Sequence, residues 1–137
     1  MAFIAPFDVR LFYEEDNSNK QVVQPDVLVV CDRKKLSDGR SCRGAPDFVV
    51  EIVSEEGSVK KVFVTKKAKY EKAGVREYWV IDDEEVYKHV LVDGKYNETV
   101  YALDKDLRVD VDILPGCEIS FREIVERQLR QEGEEDV

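Results

Sequence analysis

The stretch Pro46-Asp47-Phe48-Val49-Val50-Glu51-Ile52-Val53 is apolar on both parities of a strand, with one carboxylate in its interior. Such a segment is at home only as a central strand covered on both faces, which commits the chain to a layered fold. Ser54–Ser58 breaks the run, and Val59–Ala73 then has the periodicity of a helix. Gly74 stands just past that helix, where a left-handed residue is wanted. Tyr78-Trp79-Val80-Ile81-Asp82 is again a short apolar strand. Strand, helix and strand in this order predict a βαβ unit, two parallel strands joined by a right-handed crossover.

The flanks extend this unit into a sheet. Phe7–Tyr13 alternates apolar and polar residues, as a half-exposed strand does, and Glu14–Lys20 is a polar turn. Val22–Cys31 reads as a second strand, interrupted by Gln24-Pro25-Asp26 and ending in Val27-Leu28-Val29-Val30. Asp32–Ala45 reads as loop with one helical turn. After Asp82, Glu85–Val92, Glu98–Leu103 and Leu107–Val109 form short antiparallel strands joined by Asp93-Gly94 and Asp104–Asp106. Phe121–Gln131 is an amphipathic terminal helix, with Ser120 and Glu123 in the spacing of a capping box. The expected architecture is α/β with a mixed central sheet, a βαβ unit and a C-terminal helix. With 137 residues it makes one domain over 1–132, followed by an acidic tail at 133–137.

Charge and composition exclude several functions. The net charge is -9, so the chain repels nucleic acid at long range and needs a local basic surface or metal ions to bind it. Lys60, Lys61, Lys66, Lys67, Lys69 and Lys72 make the Val59–Ala73 helix such a patch, or else an ordinary solvated face. Cys31, Cys42 and Cys117 are too scattered for a CxxC metal pair and read as reduced thiols. No apolar run approaches a membrane span, and the N-terminus lacks the pattern of a signal peptide, which predicts a cytoplasmic protein. His89 is the single histidine, expected at the surface, and excludes a multi-histidine metal site. There is neither a GxSxG elbow nor a phosphate-cradling glycine loop. Tyr78 and Trp79 read as packing groups.

Three side chains carry the candidate chemistry. Burying Glu51 costs several kcal/mol unless its carboxylate is paired or holds a metal. Lys66 lies on the apolar stripe of the following helix with Val59, Val62, Phe63, Tyr70 and Ala73 as neighbours. Lys67, the alternative lysine, sits nearer the stripe's edge. Asp26 opens the apolar run of the preceding strand. If those strands are neighbours, two carboxylates and an ammonium share one pocket, a set that suits a hard divalent cation and a phosphate. The structural alternatives are an ion pair for Glu51, a lysine reaching out to water for Lys66, and a turn aspartate after proline for Asp26.

In combination, these motifs resemble a known family. Gln24-Pro25-Asp26-Val27, then Pro46–Ser54, then Lys66 and Tyr70 leading into Ala73-Gly74-Val75-Arg76-Glu77-Tyr78-Trp79-Val80-Ile81-Asp82, are similar to the Uma2 family of the PD-(D/E)XK nuclease-like fold. Leu114–Ser120 resembles the family's turn before its last helix. The resemblance implies a restriction-endonuclease-like core and an Mg2+- or Mn2+-dependent endonuclease that hydrolyses DNA. In that reading Asp26 and Glu51 ligate the metal. The motif lysine, whose usual place is Val53 here, moves to the helix at Lys66. Family members usually carry a helical region before the strand matching Phe7–Tyr13. Its absence predicts an uncovered sheet face and a homodimer. The alternative function is a truncated, inactive nuclease-fold module acting in binding or assembly.

Overall fold

A computed structural model gives the structure for residues 2–4, 8–10, 22–23, 27–31, 33–36, 41–53, 59–123 and 125–126. In chain order these form β1 (Ala2–Ile4), β2 (Asp8–Arg10), β3 (Val22–Val23), β4 (Val27–Val29), a 3-10 turn at Arg33–Leu36, β5 (Ser41–Arg43) and β6 (Phe48–Ile52). The helix α1 (Val59–Ala73) follows, then β7 (Glu77–Ile81), β8 (Glu85–Val92), β9 (Lys95–Ala102), β10 (Arg108–Asp110) and β11 (Glu118–Ser120).

The apolar run around Glu51 does become a central strand. β6 is third in a six-stranded sheet of order β1-β4-β6-β7-β8-β9, and Phe48 to Glu51 are all buried. β6 and β7 are parallel, in register from Phe48↔Glu77 to Ile52↔Ile81, with α1 as the crossover between them. The other ladders of the sheet are antiparallel, so the sheet is mixed.

Gly74 ends α1 as its position predicts. Its φ is +88°, and the amides of Gly74 and Val75 donate to Glu71 O and Tyr70 O at 3.2 and 3.0 Å. Those two bonds are the Schellman pattern, and they anchor the backbone at Tyr70. Asp93 and Gly94, with φ of 51° and 80°, make the two-residue turn of the β8–β9 hairpin.

Strand parity separates two cores. On the α1 face, Leu28, Val30, Val49, Tyr78 and Val80 pack with Tyr70 and Val75. On the other face, Phe48, Val50, Trp79, Ile81 and Val86 pack under Val109, Val111 and Phe121. Each such side chain contributes about 1.5–3 kcal/mol of transfer free energy. Phe48 meets Trp79 edge-on at 5.2 Å between ring centroids. Two buried polar residues also hold the second cover in place. Glu77 accepts from Trp79 Nε1 at 2.6 Å and from the Ile113 amide at 3.2 Å. Lys88 Nζ donates to Asp110 O and to Asp112 Oδ1, both at 2.6 Å.

Several local expectations change. Val22–Cys31 does not run as one strand: β3 pairs with β2, while β4 joins the large sheet between β1 and β6. β1 and β5 are strands that three-residue patterns do not announce. β9 begins at Lys95 because the hairpin turn takes only two residues. β10 leaves the large sheet and pairs with β11, in the segment expected to be a turn. Phe121–Gln131 starts a helical turn, with Val125 N donating to Phe121 O at 3.1 Å, while residues 127–137, with the acidic tail, lie outside the described residues. The architecture is α/β with a mixed sheet, a helix after its central strand and smaller flanking sheets, as in a restriction-endonuclease-like core.

Candidate functional site

Glu51 shares the α1 face of β6 with Val49, which places its carboxylate beneath the crossover helix. The residue is 5% exposed. Lys66 and Tyr70, four apart on α1, both reach down to it. Tyr70 Oη donates to Glu51 Oε1 at 2.8 Å, and Lys66 Nζ lies 3.4 Å from each carboxylate oxygen. Among the described residues, one short hydrogen bond and one cation help to offset the burial cost of the carboxylate. A separation of 3.4 Å is long for a charge-assisted bond, so the ammonium stands over the carboxylate without locking to one oxygen. The Lys66 side chain is also about a third exposed. Solvent weakens its attraction accordingly.

Burial and the charge of Glu51 push the phenol of Tyr70 far above its ordinary value, so it stays protonated and donates to Glu51. Tyr78 lies beside it, ring centroids 4.8 Å apart, and burial raises its phenol as well. The Tyr78 hydroxyl is buried and has no hydrogen-bond partner among the described residues. Tyr96, pushed up by burial and then by Glu71, donates from Oη to Val75 O at 2.7 Å.

The two candidate lysines part company here. Lys67 Nζ faces Glu98 at 3.8 Å instead of Glu51. Glu98 is also the partner of His89, and His89 corrects the sequence reading: it is 3% exposed, not a surface residue. Its Nδ1–H donates to Tyr78 O at 2.9 Å, Nε2 is 2.8 Å from Glu98 Oε2, and the ring stacks on Tyr78. The signal lay in period two, since Tyr87, His89 and Leu91 share the face of β8 that α1 covers. Tyr78 and Trp79 are packing groups, as expected.

Asp26 lies outside the described residues. Val27, which follows it, pairs with Val50, which precedes Glu51, so the two candidate strands are neighbours as required. Asp47 shares the face of Glu51 by parity but is about 13 Å away along the strand. Its carboxylate accepts from the Cys31 amide at 2.7 Å and pairs with Arg76 at 3.8 Å. Tyr70 is the neighbour that residue-type reasoning left without a role, although its spacing from Lys66 is that of one helical turn.

Among the described residues, no three His, Cys, Asp or Glu side chains cluster to hold a metal. Mg2+ does not need such a cluster, because it keeps several waters and takes one or two carboxylates. A buried, oriented carboxylate of hard oxygens fits that demand as one ligand, with Asp26 as the candidate for a second. Among the described residues, no helix is long and apolar enough to cross a membrane.

A comparison with curated proteins finds no match. The family model Uma2, described as "Putative restriction endonuclease", matches residues 1–122 of the 137. With its mixed sheet, crossover helix and buried Glu51 under Lys66, the chain belongs to the Uma2 family and is nuclease-like.

Proposed function

We propose that the protein is an Mg2+-dependent endonuclease, also served by Mn2+, that hydrolyses phosphodiester bonds in DNA. The observation that supports this reading best is a buried carboxylate on the central strand with the ammonium of a lysine about a third exposed 3.4 Å above it. Glu51 and Asp26 are the residues that hold the ion. When bound, the ion supplies positive charge to the scissile phosphate. Lys66 stabilises charge on that phosphate or orients the attacking water, from a helix whose Lys69 and Lys72 are exposed to the backbone of the nucleic acid. The protein acts in the cytoplasm as a homodimer, which sedimentation equilibrium tests directly.

The deciding experiment incubates purified wild type, Glu51→Gln and Lys66→Met with supercoiled plasmid and Mg2+ or Mn2+. The expected result is nicking by the wild type and a loss of at least about 100-fold in both variants. Equal activity in all three overturns the assignment.

A second reading has its own support. Lys66 already compensates Glu51, so the pair also serves a nuclease-fold module that acts in binding or assembly without chemistry. Calorimetric titration separates the two: millimolar Mn2+ without heat of binding favours the module.

A further inference from the structure

Two groups on α1 grip the Glu51 carboxylate, and they differ in rigidity. Lys66 is a long side chain, about a third exposed, at 3.4 Å from both oxygens. Tyr70 is fully buried and 2.8 Å from Oε1 alone. Its backbone carbonyl accepts the amides of Gly74 and Val75 at the helix terminus, at 3.1 and 3.0 Å. Its ring is held against Tyr78. A hydroxyl on a ring with two fixed torsions and an anchored backbone defines a direction, whereas a solvated ammonium defines only a charge. Of these two, Tyr70 has the fixed geometry to set the plane and rotamer of the carboxylate.

We propose that Tyr70 is a positioning residue for the divalent cation: its hydroxyl, and not the ammonium of Lys66, orients Glu51 as a ligand. This rests on the metal-dependent reading given above. Partners that orient a ligand in this way are typically worth about 10–100-fold in metal affinity.

The test is Mn2+ binding by the full chain, read by calorimetry and by the EPR spectrum of the bound ion, with folding checked by near-ultraviolet circular dichroism. Tyr70→Phe is expected to weaken Mn2+ binding by about 10–100-fold and to change the zero-field splitting of the spectrum. Tyr78→Phe removes the hydroxyl of the adjacent ring and is expected to leave both readouts unchanged. Lys66→Met is expected to tighten Mn2+ binding, because a like charge leaves the site, and it remains decisive should Tyr70→Phe fail to fold. Wild-type affinity in Tyr70→Phe, equal weakening in both tyrosine variants, or weakening in Lys66→Met overturns the role of Tyr70 while the metal-dependent reading stands. A wild-type chain that does not bind Mn2+ overturns both.

Discussion

Tyr70 and Tyr78 lie side by side under α1, ring centroids 4.8 Å apart and each fully buried, yet their hydroxyls meet different surroundings. The Tyr70 hydroxyl donates to a buried carboxylate at 2.8 Å, whereas that of Tyr78 has no partner among the described residues. Replacing each tyrosine by phenylalanine removes the same single oxygen and leaves the packing of the ring intact. Tyr70→Phe loses a hydrogen bond to a charged acceptor and is expected to cost about 1.5–3 kcal/mol. Tyr78→Phe removes an unsatisfied buried group and is expected to gain about 1–2 kcal/mol, the desolvation that this hydroxyl does not recover. For a chain of 137 residues, 1 kcal/mol shifts the melting temperature by about 3 °C. The two variants should therefore melt on opposite sides of the wild type, about 10 °C apart. Thermal unfolding followed by circular dichroism, with urea titration to check that the m-value is unchanged, measures both. A Tyr78→Phe protein that melts below the wild type would show that its hydroxyl is satisfied, and would refute the reasoning.

The remaining expectations concern other parts of the fold. Gly74→Ala puts a side chain at φ +88° with nothing within 4 Å of the new Cβ, so the cost is backbone strain alone, about 1 kcal/mol in the urea midpoint. Burial raises the carboxyl of Glu77 above its ordinary 4.5, so the folded state binds the proton more tightly than the unfolded one. Stability from this group is therefore highest at low pH and falls as pH rises from about 4.5 through the raised value, a slope that Glu77→Gln should abolish. Lys88→Met removes two 2.6 Å bonds that tie the 107–121 segment to the sheet. Because Asp112 is half exposed, the expected loss is only about 1–2 kcal/mol, measured by urea unfolding.

Much of this molecule is legible in local pattern. The parity of Phe48–Val53, the period of Val59–Ala73 and the glycine after it specify strand, helix and stop, since each depends on neighbours within a turn or two. The same logic singles out Glu51 and Lys66, one a charge in an apolar run and the other a charge on an apolar stripe, and the fold brings them together. Strand pairing, by contrast, is not a local property. Whether Val22–Val23 and Val27–Val29 belong to one sheet or two depends on which strands offer them free edges. So does the departure of Arg108–Asp110 to Glu118–Ser120.

His89 shows the same division. Its strand and its parity can be read from the chain, but its burial depends on α1, Tyr78 and Glu98 arriving from elsewhere. Tyr70 is the sharpest instance: helical spacing puts it one turn beyond Lys66, while its 2.8 Å bond to Glu51 exists only once the crossover has packed on the sheet. Local pattern in the chain specifies β6, α1 and β7 and shows which charges are costly to bury, because short-range sterics and solvation decide those. Which groups satisfy Glu51 follows from the packed fold, because that energy is gained from residues 15 and 19 positions away after the chain has closed on itself.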